Sequence, residues 1–169
     1  MSPESLSERF RAERVSSLSS EEGLVFSVYR KRVRVGDNLT ITRLKTSTER
    51  VQILNLHVVG ALLCVNGVAA SAISLRTDTC PEQLSIAVEP AHTGPNQDQG
   101  PDQAWFDVEI WNGWVVDSIE HAWVGDAGIR LAAANPLTLE CSDGIADGDF
   151  DDLVVEILIS SPNNDGEEE

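Results

Sequence analysis

The chain predicts an all-β fold, a β-sandwich of short antiparallel strands with a short N-terminal helix. Three observations carry this expectation. From about residue 24 onward, β-branched and other apolar residues alternate or cluster in short runs. Gly, Asn, Asp or Pro separates these runs at near-regular spacing, with no long helical repeat between them. At 169 residues the chain also lies within the usual range of one domain and can bury a core without staples. A closed β-barrel would share the pattern.

Taken in order, Ser5-Leu-Ser-Glu8 has capping-box spacing, and Leu6 and Phe10 stand one helical turn apart, which predicts a helix over residues 5–15. Residues 1–23 read as an N-terminal extension, 24–160 as the sandwich domain and 161–169 as an acidic flexible tail. Strands are expected at Leu24–Tyr29, Asn38–Leu44, Arg50–Val59, Ala61–Val65, Val68–Leu75 and Leu84–Val88. In Tyr29-Arg-Lys-Arg-Val-Arg-Val35 a strand would put Arg30, Arg32 and Arg34 on one face, as a solvated edge or as a docking surface for an acidic partner. Pro90 to Gln103 is a long polar loop. Trp105–Trp111 alternates, with Phe106, Val108 and Ile110 on one face and Asp107, Glu109 and the two tryptophans on the other. The Asn112-Gly113 step then predicts a tight hairpin turn into Trp114-Val-Val. Ile119–Val124, Ile129–Ala132, Leu137–Leu139 and Leu153–Ile159 complete the strands, and no internal repeat is present.

The formal charge of −16 is unevenly spread. Leu131–Glu169 holds eleven acids and no Lys or Arg, whereas residues 1–50 hold ten of the twelve basic residues. This balance argues against nucleic acid, whose affinity rests on cationic contacts with phosphate. No run approaches the roughly 20 apolar residues of a membrane helix, so no membrane span is expected. Met-Ser-Pro-Glu-Ser lacks the features of a secretory signal, and the expected location is cytoplasmic, or exported without a classical signal peptide. Cys64, Cys80 and Cys141 have no metal or redox spacing, and Cys64, inside Gly-Ala-Leu-Leu-Cys-Val, is expected to be a buried thiol. His57, His92 and His121 are isolated, and no catalytic residue is assigned. The Asn38-Leu-Thr40 sequon carries little weight without a signal peptide. Trp105, Trp111, Trp114 and Trp123 could fill core or interface, or stack on sugars.

The candidate site is Cys141-Ser-Asp-Gly-Ile-Ala-Asp-Gly-Asp-Phe-Asp-Asp152, which gathers Asp143, Asp147, Asp149, Asp151 and Asp152 just before the last strand. Clustered carboxylates repel unless neutralised, and calcium accepts about six to eight oxygen ligands. Gly144 and Gly148 permit sharp turns, while Phe150 would anchor the loop to the core. The spacing is not that of an EF-hand, and magnesium prefers fewer carboxylates. A solvated acidic turn is the alternative.

Ser142-Asp-Gly-Ile-Ala-Asp-Gly-Asp-Phe-Asp-Asp-Leu-Val-Val155 resembles the calcium loop of the fucose- and mannose-binding calcium-dependent bacterial lectins, approximately Glu-Asp-Gly-Thr-Asp-Asn-Asp-Tyr-Asn-Asp before a run of valines. It is also similar to an Asp-Gly-x-Asp-x-Asp-Phe-x-Asp-Leu-Val-Val signature of bacterial surface and adhesin β-domains. Val35–Leu54 is similar to the lectins' early hairpin. The resemblance implies that Asp147, Asp149, Asp151 and Asp152 ligate a calcium pair and that Asp143 takes the place of the loop-opening Glu. It further implies a main-chain carbonyl near Leu44 as a ligand, with Lys45, Thr46 and Ser47 shaping sugar choice. Leu44 stands where the lectins have Asn, Lys45 brings a cation beside the metals, and the tail runs past the lectins' terminal Gly.

The expected function is therefore a calcium-dependent carbohydrate-binding module, a homo-oligomer whose multivalency strengthens weak single sites. The alternative is a structural or surface-appendage β-domain in which calcium only rigidifies the loop. A hydrolase ranks third, because paired glycosidase carboxylates lie across a cleft rather than side by side.

Overall fold

A computed structural model of the chain describes residues 5–20, 23–91, 105–144 and 150–162. Helix α1 (Leu6–Glu13) is followed by β1 (Ser17–Ser20), β2 (Gly23–Phe26), β3 (Tyr29–Arg34), β4 (Asn38–Thr46), β5 (Gln52–Val58), β6 (Ala61–Val65) and β7 (Val68–Ala70). Then come β8 (Ala72–Arg76), β9 (Gln83–Pro90), β10 (Trp105–Val116), β11 (Ile119–His121), β12 (Gly128–Ala134), β13 (Leu137–Ser142) and β14 (Leu153–Ser160). All pairings are antiparallel.

The larger sheet runs β1-β2-β12-β13-β14-β4-β9-β6-β7. The smaller runs β11-β10-β5-β8, with β3 also on β10. One edge of β10 carries β3 along residues 105–110 and β11 along 114–116, while its other edge carries β5. The two inner faces close on one core: Leu39, Ile41, Leu63, Ile86, Leu139 and Ile157 from the larger sheet meet Val33, Leu54, Leu56, Val108 and Ile110 from the smaller. The alternation that marked the strands is the alternation that fills this interior.

The capping box forms as expected: Ser5 Oγ accepts from the Glu8 N–H, and the Ser5 N–H donates to Glu8 Oε1 at 2.9 Å. Phe10 on α1 packs with Leu18, Val25 and Phe150 in a second, smaller cluster. Residues 1–23 thus contribute strand β1 to the larger sheet as well as the helix. Among the described residues no helix is long and apolar enough to cross a membrane.

Several local expectations are corrected. Asn112-Gly113 is not a turn but the middle of β10, because the positive φ that a tight two-residue hairpin needs falls instead on Asp117 (52°) and Ser118 (67°), between Val116 and Ile119. A Cβ at Gly113 would lie 2.8 Å from the His121 carbonyl oxygen, so glycine there admits β11 alongside. Val68–Leu75 breaks at Ser71, placing β7 and β8 in different sheets. Leu24–Tyr29 divides between β2 and β3, and the strand expected to reach Val124 stops at His121. Cys64 faces away from the core on β6 and is half-buried, since Ala61 and Leu63 take the inner face; Cys141 is the fully buried thiol, and burial pushes its pKa up.

Candidate functional site

The acidic segment joins two neighbouring strands of the larger sheet, leaving β13 at Ser142 and returning at Leu153 on β14. Its ends are tied together. The Asp143 N–H donates to Asp152 Oδ2 at 2.9 Å, and the Asp152 N–H donates to the Cys141 carbonyl at 3.1 Å. Gly144 is packed so closely that a Cβ would strike the Val124 carbonyl oxygen and the Trp114 ring. Phe150 is buried, as expected, but against Phe10, Leu18 and Val25 rather than the main core, with the Arg130 guanidinium 5.0 Å from its ring centroid.

Asp143 is fully buried. Its Oδ2 accepts from Arg50 Nε at 2.8 Å and from Gln52 Nε2 at 3.1 Å, and Arg50 Nη2 lies 3.4 Å from Oδ1. A buried carboxylate persists only when paired and hydrogen-bonded, and Arg50 and Gln52 supply both. The same carboxylate holds the Arg50 guanidinium above its ordinary pKa. Gln52 Oε1, also buried, has no hydrogen-bond partner among the described residues. Close by, Asn112 Nδ2 donates to the Ser142 carbonyl at 2.8 Å and ties the two sheets together. Neither Arg50 nor Gln52 is a site residue on sequence grounds. Gln52 nonetheless shares the inward phase of Leu54, Leu56 and Val58, and a Gln in that phase signals a buried polar partner.

Strand β4 brings the second group. Opposite β14, Lys45 pairs with Val154 and Arg43 with Val155, so Leu44 is an extra residue in a β-bulge. The bulge shifts the alternation beyond it: Thr46 stands opposite the inward Leu153, and Lys45 is exposed. Lys45 Nζ then lies 3.1 Å from Asp151 Oδ2, while the Ser47 N–H donates to the Asp152 carbonyl at 2.7 Å. Leu44 is 54% exposed, and Thr46 Oγ1 donates to the Ser47 carbonyl at 3.4 Å. The four residues from Leu44 to Ser47 and the pair Asp151-Asp152 are therefore neighbours in space. Burial, more than the neighbouring Asp143 and Asp151 charges, pushes the Asp152 carboxyl up to about 6, against the pull of the Asp143 N–H and Arg50.

As calcium ligands these acids divide. Asp143 turns its oxygens to Arg50 and Gln52 and fits the role of an anchor. Asp151 and Asp152 sit at the mouth of the loop, half-exposed and partly buried, with Asp151 Oδ2 on Lys45 and Asp152 Oδ2 on the Asp143 N–H. Asp147 and Asp149 lie outside the described residues. Among the described residues no three His, Cys, Asp or Glu side chains are grouped to hold a metal.

Elsewhere, His57 Nδ1 lies 3.3 Å from Glu109 Oε1 and the half-buried His121 stacks on the buried Trp114, while His92 falls outside the described residues. The tryptophans separate: Trp114 is buried, Trp111 and Trp123 stack with centroids 5.3 Å apart, and Trp105 is exposed. No family model, no curated protein and no solved structure matches the chain.

Proposed function

We propose that this chain is a non-catalytic β-sandwich module that binds carbohydrate with the help of calcium, at the end of the larger sheet where Asp151 and Asp152 meet Leu44–Ser47. The observation that carries the reading is the β4–β14 register, which brings Lys45 to Asp151 and Ser47 to Asp152 from distant parts of the sequence. When bound, calcium would supply open coordination positions for vicinal sugar hydroxyls. Asp151 and Asp152 would help hold it. Lys45 and Ser47 stand where they can donate to a ligand's oxygens, and the Leu44 bulge leaves its backbone at the edge of the same region. Homo-oligomerisation would turn weak single sites into useful avidity.

Calorimetry tests the reading: calcium heat, followed by monosaccharide heat that a chelator abolishes, supports it, and saturating calcium with no sugar response anywhere in a monosaccharide panel overturns it. A second reading has its own support. Arg50 and Lys45 already face Asp143 and Asp151, so the loop could be a structural tie that calcium merely stiffens. Calcium heat alone would favour that role.

A further inference from the structure

The outer face of the smaller sheet carries a different arrangement. Along β10, Trp105, Asp107, Glu109 and Trp111 point outward, and by strand rise the two tryptophans stand about 20 Å apart. Beside them on β3, Arg34, Arg32 and Arg30 are the direct partners of Trp105, Asp107 and Glu109. Trp105 is 51% exposed and lines a groove of about 280 Å³ together with Arg30, Asp107, Glu109 and the 75%-exposed Val59.

We infer that this groove is a second, calcium-independent site for a neutral oligosaccharide, with Trp105 as the stacking platform and Glu109, Arg30 and Asp107 as hydroxyl partners. The ring is held in place by the Arg34 guanidinium, 4.7 Å from its centroid, and Trp105 remains 51% exposed. Two of the polar partners are also fixed. Glu109 is gripped by Arg30 (Nη2–Oε2 3.2 Å) and by His57 (3.3 Å), and Arg30 is steadied in turn by Ser16 Oγ at 3.2 Å. Such preorganisation lowers the entropy lost on binding.

Charge selects the occupant. Arg30, Asp107 and Glu109 line the groove and Arg32 and Arg34 stand beside it on β3, so both signs are present within a chain of net charge −16. A polyanion would meet Asp107 and Glu109, and a polycation would meet Arg30 with Arg32 and Arg34 beside it. A neutral polyol uses both signs as acceptors and donors while its C–H face covers the indole. Trp111, stacked on Trp123, lies outside the groove, so Trp105 is the stacking platform and an oligosaccharide would extend from it along Asp107 and Glu109. This site is separate from the acidic segment.

The test is calorimetry and tryptophan fluorescence on the full chain in EDTA, with cellohexaose, xylohexaose and mannohexaose. At least one of the three should give heat and a fluorescence change with no calcium present. Trp105→Ala should weaken that binding by about tenfold or more, a loss of about 1.4 kcal/mol, whereas Trp105→Phe should keep most of it. Glu109→Gln should weaken it without changing thermal unfolding. The proposal is overturned if none of the three binds, if binding requires calcium, or if Trp105→Ala binds as the parent does. It is also overturned if sedimentation shows that Trp105→Ala splits a dimer, which would make the groove a subunit interface.

Discussion

Asp143 donates its main-chain N–H to the carboxylate of Asp152, while its own carboxylate points the other way, to Arg50 and Gln52. One residue thus closes the acidic segment and fastens it to the smaller sheet, of which Gln52 on β5 is part. The negative charge that made the segment conspicuous is partly answered by cations from about a hundred residues earlier.

Removing Arg50 should expose how much depends on that tie. Arg50→Ala leaves Asp143 buried without its cation, and a cost of about 3 kcal/mol or more is expected in urea unfolding. The double variant Arg50→Met with Asp143→Leu should recover much of the loss, because it removes both charges. A cost below about 1 kcal/mol for Arg50→Ala would show that the pair contributes no more than an exposed one.

Asp152 gives stability a pH dependence of known sign. Its folded pKa, near 6, lies above the ordinary 3.8, so between these values the folded chain keeps a proton that the unfolded chain has released. Its contribution is fully present below about pH 3.8 and is lost as pH rises through about 6. Asp152→Asn keeps an acceptor for the Asp143 N–H and removes the charge. Without calcium it should flatten this part of the stability curve and equal or exceed the parent at pH 7, as chemical unfolding at a series of pH values would show.

Phe150→Ala should reach beyond the loop. The ring is buried against Phe10 and Val25, so its loss should cost about 3 kcal/mol and speed amide exchange in Leu6–Glu13. Unchanged helix protection would mean that α1 docks independently of the acidic segment.

Calcium should raise the melting temperature if it binds the folded chain alone. At a concentration about 100 times its dissociation constant the gain is about 2.7 kcal/mol, and EDTA should reverse it. Lowering the pH below about 6 should weaken the effect, since protonated Asp152 is a poor ligand. A melting curve indifferent to calcium and EDTA would remove the metal from the proposed function.

Much of the fold was legible because one face of each strand is buried: Leu39 and Ile41, or Leu153, Val155 and Ile157, read as strands and are strands. The helix was legible through its cap. What the pattern hid were choices made by tertiary contacts. Gly113 reads as a turn residue until β11 is laid beside it, and Ser71 gives no local sign that the chain passes there from one sheet to the other. The acidic segment was conspicuous, yet Arg50 was invisible as its partner, because charge complementarity across such a sequence distance leaves no local trace. The polar face of Trp105–Trp111 was readable by alternation. Its arginine neighbours were not, since strand pairing of β3 with β10 had to be known first.

The extra residue at Leu44 separates chain length from side-chain orientation. Deleting it would leave Arg43 opposite Val155 and Lys45 opposite Val154, as they are now, so every neighbour would keep its side of the sheet while the local twist relaxed. That strand can therefore lose one amino acid without rewriting the interior, and a shortened chain would isolate what the protruding backbone at Leu44 contributes from what the rest of the sandwich needs in order to fold.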